Sequence, residues 1–234
     1  MIELDVYIAS MGRSGSTALA NFLTDPQKQQ YIFVEPDIVN GPNAVFFDQL
    51  RDFQLQDQSH LGEFDFSNLR NAGAKVGVKE VKCSFHNQMG TLFKADKTII
   101  TCRSIDNVYL SLLEKHRLQQ LALDDAWAFD YCVREANGLV MFAQKFPIDY
   151  VVKYEDFSTS QGVRDTLSDK LNFVGGGEVD RGFVNYGRKF EADMYAGHIS
   201  SRKTPYQTIT ETDIRRASQL QALCSEYQHC FGYD

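Results

Sequence analysis

The chain has 234 residues, of which 43% are hydrophobic and 12% aromatic, so it can bury the core of one large domain or two small ones. A formal net charge of -7 excludes broad attachment to DNA or RNA, which needs a basic face. No apolar run reaches the length of a membrane span, and we expect a soluble, cytoplasmic protein without a transmembrane segment.

Short apolar runs bounded by turn residues predict β-strands, and the longer stretches between them have helical periodicity. This alternation is typical of a parallel sheet covered by helices, and we predict a three-layer α/β fold in a single domain spanning 1–234. The predicted strands are 5–10, 31–35, 75–80, 97–103 and 149–154. The predicted helices are 15–24, 42–56, 104–122, 124–145 and a last one near 210–230, which opens with a capping pattern at Thr210 and Asp213.

The first predicted strand, DVYIAS, runs into RSGST, residues 13–17, and then into a helix. Such a turn directs backbone N–H groups and the positive end of the helix at one point, where an anion is the natural occupant. Measured against the Walker pattern G-x-x-x-x-G-K-S/T, Gly15 and Thr17 fit, whereas Ser10 replaces the first glycine and Ser16 replaces the lysine. ATP would therefore lose its main charge clamp at this loop.

The loop resembles the 5′-phosphosulfate loop of sulfotransferases that use 3′-phosphoadenosine 5′-phosphosulfate (PAPS). That loop usually has proline, an arginine or lysine, Ser-Gly and two hydroxyl residues, and this chain has Gly12 where proline is common. The resemblance implies a fold like that of the P-loop nucleotide hydrolases. It also implies that Arg13, Ser14, Gly15, Ser16 and Thr17 bind the 5′-phosphate of the donor and stabilise the charge that develops there.

The second predicted strand, YIFVE, ends at Glu35 beside Pro36, and it resembles the family's turn that carries a catalytic glutamate. We expect Glu35 to remove the proton of the acceptor. A strand-end carboxylate paired with a lysine is the alternative. The aromatic residues Phe46, Phe47 and Phe53 follow, and either an apolar acceptor site or core packing explains them.

The third predicted strand is followed by KCSFHN, where the family often has a lysine. By that resemblance Lys82 is the candidate for contacting the oxygens of the transferred group, with Lys79 as its competitor. His86 lies roughly where one branch of the family keeps a histidine base, and it is the second candidate for that role. Either lysine could instead be solvated, and a lone histidine is more often structural.

The fourth predicted strand ends at Arg103, and Ser111 follows eight positions later on a helix. This spacing resembles the family's 3′-phosphate motif. Eight helical residues rise about 12 Å, so both side chains can touch one phosphate only if the arginine extends along the helix. After the fifth strand, VVKYEDF is similar to the family segment in which a tyrosine lies near the adenine, which implies that role for Tyr154.

The predicted helix 124–145 carries aromatic residues at helical spacing, which predicts that they pack in the core. They are Trp127, Phe129, Tyr131 and Phe142.

The last distinctive segment, 174–208, is rich in glycine and charge and lacks a sustained period. It predicts an ordered loop or lid over the donor and acceptor sites, or a plain connector. Its stretch AGHISSRKTPY loosely resembles a segment that closes on the 3′-phosphate side in the family. That resemblance implies donor contacts for Ser200, Ser201, Arg202 and Lys203.

Together the five segments predict a sulfotransferase that moves a sulfuryl group from PAPS to a hydroxyl or amine of a small-molecule, lipid or glycan acceptor. The transfer would be in line, with a glutamate base, and it would require no metal, because a sulfuryl group carries less negative charge than a terminal phosphoryl group. Widely spaced cysteines without a C-x-x-C pair also argue against a zinc site. Two alternatives stay open: a P-loop kinase or NTPase with an atypical loop, and a non-catalytic nucleotide-binding protein.

Overall fold

The computed structural model of the chain describes residues 1–37, 44–55, 65–121, 124–176 and 206–233. Within these ranges one parallel sheet contains strands in the order β2-β3-β1-β4-β5, which confirms the predicted architecture. The strands are β1 Ile2–Ser10, β2 Gln30–Val34, β3 Lys75–Glu80, β4 Phe93–Cys102 and β5 Tyr150–Lys153.

Helices connect these strands and cover both faces of the sheet. In chain order they are α1 Ser16–Leu23, α2 Ala44–Asp52, α3 Phe66–Asn71, α4 Cys83–His86, α5 Ile105–Leu118, α6 Asp125–Lys145, α7 Tyr154–Thr159, α8 Gln161–Leu171, α9 Glu211–Leu223 and α10 Ser225–Phe231. A short 3-10 turn, Pro26–Lys28, precedes β2. None of the helices in the described ranges is both long and apolar enough to span a bilayer.

Several predicted boundaries differ from the structure, and two of these differences have a clear physical reason. The predicted last helix is two helices, because the backbone at Cys224 (φ -102, ψ 32) leaves the helical conformation between α9 and α10. Strand β4 begins at Phe93, before the predicted 97, and pairs with β1 from Ile2 onward. Its first half is partly exposed, and for that reason it lacks the apolar run that marks a buried strand.

The apolar core lies in two layers, one on each face of the sheet. Strand β1 sends Tyr7 and Ala9 into the layer beneath α5, α6, α9 and α10, and it sends Val6 and Ile8 into the layer beneath α1 and α8. Strands that are buried on both faces have continuous apolar sequences, and for that reason these strands could be predicted from the sequence.

The strand order determines where a ligand can bind. The chain leaves β1 toward β2 and β3 on one side of it, while β4 and β5 lie on the other side. Connections that depart in opposite directions leave a crevice at the carboxyl edge of the sheet, where ligands of open α/β folds bind. The loop after β1 and Arg103 after β4 both stand at this crevice.

An ion pair joins α9 to α5 through Asp213, a residue of the capping box at the start of α9. The predicted capping box is confirmed: Thr210 and Asp213 bond reciprocally through side chain and backbone. Arg117 of α5 donates to both carboxylate oxygens of Asp213, at 2.7 and 3.0 Å. These bonds from Arg117 lower the pKa of Asp213 from 3.8 to about 2.

We expect the stability of the protein to depend on this carboxylate. Because its folded pKa is depressed, the stabilisation is present above pH 3.8 and is lost as the pH falls toward about 2. Asp213→Asn should lower the free energy of unfolding by about 2 kcal/mol at neutral pH, and by less at about pH 3. Urea denaturation measures both values, with the exposed Asp130→Asn of α6 as the control. A loss for Asp213→Asn that does not shrink with falling pH would contradict the assignment.

Candidate functional site

The loop between β1 and α1 presents backbone donors at the carboxyl edge of the sheet. Ser14 donates from its N–H and from its hydroxyl to the carbonyl of Met11, at 3.3 and 2.7 Å, which closes the turn. Gly15 then adopts a left-handed conformation (φ 80) at the N-cap of α1, where no side chain caps the helix. The N–H groups of the first turn therefore remain for a ligand, beside the hydroxyls of Ser16 and Thr17.

Arg13 is the point at which the predicted anion-binding segments meet. Its Nε donates to the hydroxyl of Ser111 on α5 at 3.2 Å. Its carbonyl accepts a bond from Nη1 of Arg103 at 3.3 Å. The structure thus brings together two segments that lie 90 or more positions from the loop in sequence. Arg13 itself is left-handed (φ 70), a conformation that a non-glycine residue keeps only where its surroundings hold it.

Arg103 is held on several sides, and one nitrogen of its guanidinium is buried without a partner among the described residues. The hydroxyl of Tyr227 on α10 accepts from the backbone N–H of Arg103 at 3.3 Å and donates to its carbonyl at 2.8 Å. Its guanidinium lies 5.0 Å from the ring centroid of Tyr154. Within the described part of the chain, Nε of Arg103 is buried and has no hydrogen-bond partner. A buried guanidinium nitrogen without an acceptor suits an anionic ligand.

Tyr154 packs directly on the loop. A Cβ at position 15 would lie 2.0 Å from Cδ2 of its ring, so Gly15 is required by close approach as well as by its positive φ. The adjacent Glu155 accepts from the N–H of Ser104 at 3.1 Å and from the hydroxyl of Tyr233 at 2.8 Å. It therefore braces the start of α5, while the predicted adenine contact of Tyr154 stays a prediction.

Glu35 stands beside the loop in an ion pair with Lys79. The distance from Nζ of Lys79 to Oε1 of Glu35 is 2.6 Å, and the two side chains are 1% and 14% exposed. Glu35 has a positive φ of 50, and its N–H donates to the carbonyl of Lys79 at 2.7 Å. The alternative of a carboxylate paired with a lysine is thus observed, and Lys79 is that lysine.

The other two predicted catalytic residues stand apart from this pair. Lys82 is exposed at the N-cap of α4, with its ammonium 4.9 Å from the ring centroid of Phe85. His86 is 2% exposed, and its ring nitrogens lie 2.9 Å from the carbonyl oxygen of Ser10 and 3.3 Å from the hydroxyl of Tyr7. Burial lowers the pKa of His86 to about 4. A buried imidazole with both nitrogens engaged is not positioned to deprotonate an acceptor.

Glu80 is a buried carboxyl that sequence reasoning missed. It ends β3, is fully buried, and accepts from the N–H of Asp37 at 3.1 Å through Oε1. Its Oε2 is buried and has no hydrogen-bond partner among the residues that the structure describes. Burial, together with the nearby charge of Glu35, raises the pKa of Glu80 to about 8. The signal available in the sequence is an acid at the carboxyl end of a predicted strand, beside an anion loop.

The remaining predicted donor contacts, Ser200, Ser201, Arg202 and Lys203, lie outside the described residues, as does most of the predicted lid. Within the described ranges no group of three or more His, Cys, Asp or Glu residues is placed to hold a metal ion. The aromatic residues after β2 belong to the core: Phe46 and Phe53 are buried, and Phe47 packs against them partly buried.

No protein-family model matches the chain, and no curated protein matches it. Several solved structures are similar to the chain in fold. The sulfotransferase domain of the Synechococcus PCC 7002 olefin synthase has a TM-score of 0.55 and 16% identity over 94% of each chain. That of the curacin biosynthetic pathway has a TM-score of 0.60 and 13% identity over 96% of this chain and 98% of its own. A sulfotransferase from Alicyclobacillus acidocaldarius has a TM-score of 0.57 and 12% identity over 100% of this chain and 98% of its own.

We expect the ionisation of Glu80 to oppose folding. The unfolded chain releases this proton near pH 4.5, whereas the folded chain retains it up to about pH 8, so stability falls as the pH rises through that window. Glu80→Gln removes the titration. Its stability relative to wild type should therefore increase by a few kcal/mol between about pH 5 and about pH 8.

Urea denaturation at several pH values measures this difference, and the exposed Glu226→Gln is the matched control. Parallel stability curves for wild type and Glu80→Gln would show that Glu80 does not hold its proton in the folded state.

Proposed function

We propose that the protein is a PAPS-dependent sulfotransferase that acts on a hydroxyl or amine of a small-molecule, lipid or glycan acceptor in the cytoplasm. One observation carries the proposal: Arg13, Arg103 and Ser111 converge on the loop at Gly15, in a fold shared with sulfotransferase domains. An atypical kinase finds less support, because the buried Ser16 occupies the position of the Walker lysine.

The side chains at the crevice fit a donor with two separate phosphate groups. The first-turn N–H groups of α1 and the hydroxyls of Ser16 and Thr17 are suited to the 5′-phosphosulfate. The buried Nε of Arg103 and the hydroxyl of Ser111 are suited to the 3′-phosphate. Tyr154 offers a ring face beside Arg103 for the adenine base. Ser200, Ser201, Arg202 and Lys203 complete the 3′ side in this proposal.

Within the proposed reaction, PAPS supplies the sulfuryl group and leaves as 3′,5′-adenosine bisphosphate. Negative charge then develops at the 5′-phosphate, where Arg13 and the fixed N–H groups of the loop stabilise it without rearrangement. Lys82 is exposed near the crevice and remains a proposed contact for the sulfuryl oxygens.

Glu35 is the proposed base that removes the proton of the acceptor. The ammonium of Lys79, 2.6 Å away, holds the carboxylate in one orientation. Because burial raises the pKa of Glu80 to about 8, Glu80 is largely neutral at pH 7 and does not compete with Glu35 for the ammonium of Lys79.

Arg103→Ala should weaken binding of 3′,5′-adenosine bisphosphate by about 100-fold, because a buried charge-assisted contact to phosphate is lost. Ser111→Ala should weaken it by about 5-fold, as expected for one neutral donor. Calorimetry without magnesium measures both. Arg70→Ala is the control, since Arg70 pairs with Asp5 and Asp96 away from the crevice and carries the same charge. No binding by the wild-type protein would overturn the proposed function.

Glu35→Gln should reduce sulfuryl transfer by about 100-fold or more, because the base is removed while its volume is kept. Bisphosphate affinity should stay within about 2-fold of wild type, since Glu35 acts on the acceptor. Transfer of label from PAPS to a panel of hydroxyl and amine acceptors measures the rate. If the wild-type protein binds the bisphosphate and transfers nothing to any acceptor, the non-catalytic alternative is favoured.

A further inference from the structure

A tyrosine of α6 is bonded to the backbone of the anion loop. The N–H of Gly12 donates to the hydroxyl of Tyr131 at 2.9 Å, across 119 positions of sequence. Tyr131 is 8% exposed, and Trp127 stacks on its ring at 5.2 Å with an angle of 24° between the planes. From its helical spacing we expected Trp127 in the core. The structure corrects this, because Trp127 is 43% exposed and shields the tyrosine from solvent.

Gly12 and Tyr131 are matched to each other. A Cβ at position 12 would lie 2.7 Å from the hydroxyl oxygen of Tyr131, which is closer than real Cβ atoms approach an oxygen. The next atom it would meet, Cζ of the same ring, lies at an ordinary 3.7 Å. The proline that is common here in the PAPS loop has no N–H and could not donate this bond. Glycine therefore provides both the donor and the space.

This bond acts on the residue that follows. Arg13 keeps its left-handed φ of 70 while Arg103 holds its carbonyl and Ser111 holds its side chain. The Gly12 N–H belongs to the Met11–Gly12 peptide, so Tyr131 fixes the chain one residue before Arg13, while Arg103 and Ser111 hold Arg13 itself. A backbone conformation of this kind persists only where several contacts determine it.

We propose that Tyr131 is a positioning residue of the transfer site, whose hydroxyl fixes the Met11–Gly12 peptide and thereby directs the chain at Arg13 toward the 5′-phosphosulfate of the donor. The inference rests on the proposed function. It adds a residue of α6, which the loop motif does not contain, to the determinants of donor binding and of charge stabilisation in transfer. Tyr131 acts through Arg13 and needs no contact with the donor.

The test is a double-mutant cycle on the full chain with 3′,5′-adenosine bisphosphate as the probe. Tyr131→Phe should weaken binding by about 5-fold and lower kcat by about 10-fold, with the KM for the acceptor unchanged and the melting temperature lowered by no more than a few degrees, since one hydrogen bond is lost. Gly12→Ala alone should weaken binding by about 10-fold, because its Cβ overlaps the hydroxyl of Tyr131. When Gly12→Ala is combined with Tyr131→Phe, it should add no further loss, because that oxygen is gone.

Tyr150→Phe is the control for loss of a tyrosine hydroxyl, because Tyr150 lies at the amino-terminal end of the edge strand β5, away from the loop. Hydrogen exchange of the Gly12 amide, followed by NMR, reports the bond independently of any ligand, and Tyr131→Phe should lose its protection. If wild type binds the bisphosphate and Tyr131→Phe binds and turns over equally well, this inference is overturned and the proposed function stands. If wild type binds no bisphosphate, both fall.

Discussion

The site depends on one constraint: Arg13 must keep a left-handed backbone between the end of β1 and the start of α1. This conformation costs on the order of 1 kcal/mol for a residue with a side chain, so contacts from elsewhere must maintain it. They come from three elements. Arg103 after β4 holds the carbonyl, Ser111 on α5 holds the guanidinium, and Tyr131 on α6 holds the Met11–Gly12 peptide one residue earlier. The loop is therefore shaped by contacts from the tertiary fold as well as by its own glycines.

Much of the fold and part of the site could be predicted from the sequence, because buried strands and helices place their apolar residues at characteristic spacings. Strands covered on both faces appear as apolar runs, and the carboxyl edge of a parallel sheet collects whatever follows them. Arg13 and Arg103 follow such strands, and the family resemblance, rather than the strand pattern alone, predicts that they meet together with Ser111 at this edge. Gly15 was predicted for its turn, although the packing of Tyr154 against it was not.

The rest depends on contacts that no local pattern records. The choice of Lys79 over Lys82 as the partner of Glu35 follows from which strand-end side chain points inward, and that depends on the register of β2 on β3. Among the described residues no hydrogen-bond donor reaches Oε2 of Glu80, and no local sequence pattern records such an absence. The spacing of His86 after β3 does not reveal the direction of its ring, which turns into the core toward Tyr7. Helical spacing likewise predicts that Trp127 is buried. Periodicity shows which face of α6 a residue lies on, but not how deeply that residue is buried, and Trp127 is exposed.

The hydroxyl of Tyr227 forms two hydrogen bonds with the backbone of Arg103, which lies 124 positions earlier in the sequence. During translation, β1, β4 and α5 leave the ribosome well before α10 does. Until that helix emerges and docks, the backbone of Arg103 lacks two of its hydrogen bonds, and the crevice of a nascent chain is less firmly held. The crevice is thus completed late in synthesis, as a property of the whole folded unit rather than of its amino-terminal half.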